Sequence, residues 1–176
     1  MSWEIDFLNA VQHLLRNEFL DVIMPFISAL GNAGIFWILL TLVLLIIPKT
    51  RKTGLASAIA LLIMLVTGNM IMKPLVARLR PFIVNTAIEL LIPPPLDFSF
   101  PSGHTFASFA SATAIMKNNR RFGIPALILA ACIAFSRLYL YVHYPTDVFF
   151  GLIFGVLAGL AGCFLANRLA PRLHIS

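Results

Sequence analysis

Apolar residues run along this chain in long blocks separated by short polar clusters, and the blocks set the elements. The first segment differs. Trp3, Ile5, Phe7, Leu8, Val11, Leu14 and Leu15 recur at helical spacing among Glu4, Asp6, Gln12, His13 and Arg16. A stripe of that kind predicts a helix lying in the membrane surface. Residues 18–30 are apolar but short, and Asp21 and Pro25 interrupt them, so they read as an interfacial or re-entrant helix. Gly31-Asn32-Ala33-Gly34 is a break. Residues 35–47 form an uninterrupted run that Pro48 ends, and residues 54–72 form a second span. The connection 73–98 contains a proline-rich apolar passage, 88–96, expected to pack at the membrane interface. Residues 103–116 make a third, short span rich in small side chains, which belongs in the middle of a bundle. A fourth span covers 124–135 and runs on to Tyr141. The fifth, 148–165, carries Gly151, Gly155 and Gly159 at four-residue spacing, a ridge for helix packing.

The expected fold is therefore all-α. It is a single-domain polytopic membrane helix bundle of about five transmembrane helices (33–170), preceded by N-terminal interfacial or re-entrant helices (1–32). Composition agrees: 60% of the 176 residues are hydrophobic and 11% charged, against about 25% charged in soluble domains. Residues 1–16 lack a basic start followed by a long apolar core, so no cleavable signal peptide is expected. Cys132 and Cys163 lie in apolar segments without metal-ligand spacing.

The net charge of +6 suggests a nucleic-acid partner, but the charges cap apolar runs rather than line one face, which excludes that reading. They report topology instead. Lys49, Arg51 and Lys52, then Lys117, Arg120 and Arg121 in a basic loop, then Arg168 and Arg172, alternate onto one side. By the positive-inside rule that side is cytoplasmic. The opposite face then receives Lys73, Arg78, Arg80, His104, Arg137, His143 and Asp147. Charges that break the rule at a membrane mark a functional site.

Three stretches concentrate that chemistry: 73–81 (KPLVARLRP), 98–104 (FSFPSGH) and 136–147 (SRLYLYVHYPTD). Ser102 can cap a helix and Gly103 lets backbone approach a ligand, so the helix start suits a phosphate. Lys73, Arg80 and Arg137 supply cations, the arginines as two-pronged forks. Ser102 Oγ and the Gly103 and His104 N–H groups can add hydrogen bonds. His143 reads as the nucleophile, with Asp147 four residues on to orient it, and His104 as the proton donor and later the base. With no carboxylate or Cys/His cluster of metal-site kind, no metal or other cofactor is expected. Among the remaining polar and aromatic residues, Arg78 reads as snorkelling to headgroups and Asn69 as bonding a neighbouring helix. His13 and His174 read as surface residues. Trp3, Trp37, Tyr139, Tyr141 and Tyr144 read as interface-belt aromatics. Asp21 fits either a polar anchor or the lining of the site.

These stretches resemble the type 2 phosphatidic acid phosphatase family, which shares its site with vanadium-dependent haloperoxidases and bacterial acid phosphatases. The family pattern K-x6-R-P, P-S-G-H, S-R-x5-H-x3-D is met by Lys73 to Pro81, Pro101 to His104, and Ser136 to Asp147, in order and spacing. The resemblance implies a metal-independent phosphatase with a phosphohistidine on His143. It implies His104 as acid and base, Asp147 as partner of His143, and Lys73, Arg80, Ser102, Gly103 and Arg137 as phosphate ligands. It further implies a membrane lipid substrate, undecaprenyl diphosphate first and phosphatidylglycerophosphate or phosphatidic acid next, hydrolysed at the extracytoplasmic face of the plasma membrane. A lipid phosphotransferase using the same adduct and a lipid transporter are the other readings.

Overall fold

In the computed structural model, which describes residues 3–173, nine α-helices follow one another among the described residues. They are α1 (Trp3–Leu15), α2 (Glu18–Ala29), α3 (Ile35–Ile46), α4 (Arg51–Met64), α5 (Lys73–Val76), α6 (Pro81–Val84), α7 (Gly103–Asn118), α8 (Arg120–Tyr139) and α9 (Pro145–Leu169). The bundle is built around α7. Ser102 caps it by accepting from Thr105 N at 3.4 Å, and every residue from Thr105 to Ile115 is buried. Its small side chains let α4, α8 and α9 pack against it on different sides. The α9 glycine ridge is what makes the α7–α9 contact close. A Cβ on Gly155 would lie 2.8 Å from Phe106 O, and one on Gly159 2.7 Å from Ala110 O.

Hydroxyls tie the layers inside the apolar core. Thr41 Oγ1 of α3 pairs with Ser57 Oγ of α4 at 2.7 Å, and Ser57 Oγ with Ser111 Oγ of α7 at 2.8 Å. Such bonds hold helices together where lipid removes the hydrophobic drive for association. Large apolar side chains on the outer faces, among them Leu39, Leu62, Phe149 and Phe164, are exposed and face the lipid.

Three stretches, 48–84, 120–139 and 145–173, are long and apolar enough to cross a membrane. Helices α2 and α3 pass the same test only as a pair, with a 42° bend between them, the form of a broken span or a re-entrant loop. The bend is made by Ala33 (φ 49°) and Gly34 (φ 67°), both left-handed. The 16-residue α7 lies inside the bundle. Between α4 and α5 the chain widens into a π-helix, Leu65–Met72, where Gly68 approaches the Phe106 ring.

Three sequence expectations are corrected here. The basic loop 117–121 is a one-residue turn: Asn119 Oδ1 accepts from Phe122 N at 3.4 Å, and Arg120 and Arg121 open α8. Trp37 is fully buried and donates Nε1–H to Ser108 Oγ at 2.8 Å, so it is core rather than belt. Tyr139, Tyr141 and Tyr144 are buried too. Tyr139 Oη donates to Asp21 Oδ1 at 2.6 Å and Tyr141 Oη to Asn9 Oδ1 at 2.7 Å, which satisfies their polar ends inside the protein. Asp21 is thereby a polar anchor. Trp3 and His13 are exposed, and His174 lies outside the described residues.

Candidate active site

The three motif stretches meet at the end of the bundle opposite the basic turns. Lys73 stands at the start of α5, Arg80 before α6, His104 in the first turn of α7, Arg137 in the last turn of α8, and His143 in the α8–α9 turn. Lys73, Arg80, Gly103, His104, Arg137 and His143 all line one cavity of about 460 Å³, walled on the other side by Pro25, Ser28 and Asn32. Arg80 Nη1 lies 3.2 Å from His143 Nε2 and donates to Val142 O at 2.7 Å. Arg137 donates Nη1–H to Ser28 Oγ of α2. Its Nε is buried and has no hydrogen-bond partner among the described residues. A buried guanidinium N–H without a partner is costly.

His143 is held from behind. Its Nδ1 lies 3.5 Å from Asp147 Oδ2 and 3.5 Å from Ser99 Oγ. Asp147 is itself fully buried. It accepts from Tyr144 N at 2.9 Å and from Ser99 Oγ, so the first turn of α9 fixes the carboxylate. With a proton on Nδ1 facing Asp147, the Nε2 lone pair faces Arg80 and the cavity. Tyr141 reaches this turn with φ 59°, a left-handed conformation unfavourable for a non-glycine residue.

Arg78 does not snorkel to lipid. Its Nη1 donates to Asp147 Oδ1 and to Thr146 Oγ1, each at 2.7 Å, its Nη2 to Glu4 Oε2 at 2.5 Å, and its guanidinium lies 3.8 Å over the Tyr144 ring. Glu4 Oε1 accepts from Thr146 Oγ1 at 2.6 Å. The N-terminal helix is thus tied through Arg78 to the carboxylate behind His143.

His104 Nε2 pairs with Asn32 Oδ1 at 2.9 Å, and Asn32 sits in the α2–α3 break. Gly103 lies beside Lys73: a Cβ there would be 3.7 Å from Lys73 Nζ and 3.5 Å from Asn69 Oδ1. Ser102 differs from its sister residues. Fully buried, it accepts from Thr105 Oγ1 at 2.9 Å as a cap and does not border the cavity. A second cavity, about 610 Å³, opens from Lys73, Gly103 and His104 and runs between α3 and α4, past Ile38, Leu42, Leu61 and Leu62, to Leu45 and Ala58.

Sequence reasoning missed Asp97, Arg78, Glu4, Ser99, Asn32 and Ser28. Asp97 bridges the cations: Arg80 Nη2 donates to its Oδ1 at 2.6 Å and Lys73 Nζ to its Oδ2. Burial acts to raise the Asp97 carboxyl. The hydrogen bond and charge of Lys73, then those of Arg80, outweigh it and bring the pKa down to about 2. Burial pushes the His143 imidazole well below its ordinary value, and the charges of Arg80, Arg137 and Lys73 push it further.

Residues 51–169 match the model of the PAP2 superfamily. The chain belongs to that superfamily. This PAP2 member is 36% identical over 137 residues to an undecaprenyl-diphosphatase of Sulfolobus acidocaldarius, covering 77% of this chain and 66% of the relative. It therefore spans about two thirds of that relative's length. It is 32% identical over 176 residues to undecaprenyl-diphosphatase BcrC of Bacillus subtilis, covering 99% of this chain and 89% of the relative. Aquifex aeolicus LpxE superposes with a TM-score of 0.77 at 25% identity, over 92% of this chain and 95% of that one. A Bacillus subtilis transmembrane phosphatase of the PAP2 type shares the fold, with a TM-score of 0.76 at 23% identity over 95% of this chain and 86% of that one. Family membership and apolar helices together make the chain a membrane-embedded lipid phosphatase.

Proposed function

We propose that this PAP2 member hydrolyses a lipid diphosphate, undecaprenyl diphosphate first, at the extracytoplasmic membrane face through a phosphohistidine on His143. The observation that carries the chemistry is the single cavity bordered by two imidazoles and three cations. Its polar end opens into an apolar groove between α3 and α4 that suits a long hydrocarbon chain, and the names of the relatives supply the leading substrate.

Lys73, Arg80 and Arg137 hold the terminal phosphate, with N–H groups of the α7 start, at Gly103 and His104, adding donors. Ser102 serves that N–H array as its cap. His143 Nε2 attacks phosphorus while the bond to the bridging oxygen breaks, and His104 gives its proton to the departing lipid phosphate. His104 then takes a proton from water, and the resulting oxygen attacks the phosphohistidine. The P–N bond breaks, releasing inorganic phosphate. Asp147 balances the charge that grows on the His143 ring. No step uses a metal. The basic turns at the other end of the bundle support the extracytoplasmic placement of the site.

The test is phosphate release by the purified full chain from undecaprenyl diphosphate, phosphatidylglycerophosphate and phosphatidic acid, with and without EDTA. Release unaffected by EDTA and abolished in both His143→Ala and His104→Ala is expected. Turnover retained in both variants overturns the residue roles, loss with EDTA overturns the metal-free route, and preference for a monophosphate overturns the substrate. Phosphoryl transfer to an added lipid without phosphate release indicates the transferase reading. Labelling of a cysteine introduced beside Arg80 only in opened cells overturns the outward-facing site.

A further inference from the structure

Asp97 stands apart from the rest of the site because it is an anion inside the anion pocket. It lies in the connection leading to α7 and borders both cavities. Its two carboxylate oxygens are divided between Lys73 and Arg80, and its main-chain oxygen accepts from Arg80 Nε at 2.8 Å. A carboxylate bridging two cations matches one edge of a phosphate, with two oxygens and two donors. Two of the three cations are therefore already engaged, while Arg137 has no carboxylate partner among its contacts. The Asp97 side chain is 52% exposed, whereas those of Lys73 and Arg80 are 11% and 3% exposed. The anion is thus the partner with room to move, and the cations are fixed.

We propose that Asp97 is a tethered competitor for the phosphate-binding cations. Entering substrate phosphate displaces it from Lys73 and Arg80, and its return helps expel product phosphate. This rests on the cavity being the phosphate site. Its competition raises the concentration of inorganic phosphate needed to fill the pocket. The alternative is a purely structural carboxylate that positions Lys73 and Arg80. The two accounts predict opposite signs: removing a competitor tightens phosphate, whereas removing a positioning group weakens it.

Inorganic phosphate is measured as a competitive inhibitor of the full chain in detergent, for wild type, Asp97→Asn and Asp97→Ala. Asn keeps the shape and one acceptor while losing the charge. The inhibition constant is expected to fall about tenfold in both variants, a modest share of two charge-assisted bonds at a half-exposed site. Inhibition that is unchanged or weaker in the variants overturns the proposal while leaving the phosphate site intact. Failure of both variants to elute as folded protein shows a structural clamp and also overturns it. Absence of phosphate inhibition in the wild type and in both variants alike overturns the phosphate-site reading itself, and the proposal with it.

Discussion

Replacing Arg78 by Gln tests whether the N-terminal helix supports His143, the nucleophile of the proposed mechanism. The wild-type guanidinium donates to Asp147, Thr146 and Glu4 within 2.7 Å. Asp147 is fully buried, and Arg78 is the cation on its Oδ1. Hydrogen bonds to charged groups contribute about 1.5–3 kcal/mol each, and breaking a buried ion pair costs about 3–5 kcal/mol. The Arg78 side chain is 26% exposed, so water can replace part of what is lost. A stability loss of about 2 kcal/mol is the reasoned figure. Activity should fall further, because a loosened Asp147 no longer holds the His143 ring in line; misplacement of about 1 Å can cost roughly a hundredfold. The loss should appear in kcat, with KM little changed, since Arg78 does not border the cavity. Glu4→Gln keeps the Arg78–Asp147 contact and should cost about 1 kcal/mol and less than tenfold in kcat. In a double-mutant cycle the two substitutions should couple by about 1–2 kcal/mol. Steady-state kinetics and detergent melting curves provide both readouts. An Arg78→Gln enzyme within twofold of wild-type kcat and with an unmoved melting midpoint would refute the link.

Three further outcomes are expected. Gly155→Ala places a Cβ 2.7 Å from Phe109 Cβ and 2.8 Å from Phe106 O; it should cost about 1–3 kcal/mol by overpacking, and an unchanged melting midpoint would contradict the close α7–α9 contact. Asn32→Ala frees His104 Nε2 from its partner and should lower kcat about tenfold with KM steady; an effect confined to KM would place Asn32 in binding instead. His143 is buried with its pKa well below the ordinary imidazole value, so the folded chain takes up fewer protons than the unfolded chain as pH falls below about 6.5. The stability it contributes is present above that pH and lost below it. The melting midpoint should therefore drop between about pH 7.5 and 5.5, with a smaller slope in His143→Asn; equal slopes would remove His143 as the source.

Local signals made the helices and the α9 glycine ridge legible, and motif spacing named the cations and imidazoles that border one cavity. Apolar run length, four-residue glycine spacing and motif spacing all act within a few turns of chain. The tyrosines and Trp37 were misplaced because amphipathic rings fit a membrane interface and a buried hydrogen-bonded site equally well. Only distant partners such as Asn9, Asp21 and Ser108 decide between them. Arg78 was misread for the same reason, as Glu4 is 74 positions away. Asp97 gave no signal at all: a single acid after a proline-rich passage has neither period nor spacing, and its meaning comes from cations on two other segments.

The shortness of α7 has a consequence for how deep the reaction takes place. Its 16 residues span about 24 Å at 1.5 Å each, while the hydrocarbon core of a bilayer is about 30 Å thick. With Lys117 and its neighbours anchoring the far end among headgroups, His104 sits several ångströms beneath the opposite water boundary. In the proposed mechanism a lipid headgroup must therefore sink to meet it. Soluble phosphate esters with the same terminal group should accordingly be poor substrates, because nothing drags them down to that level.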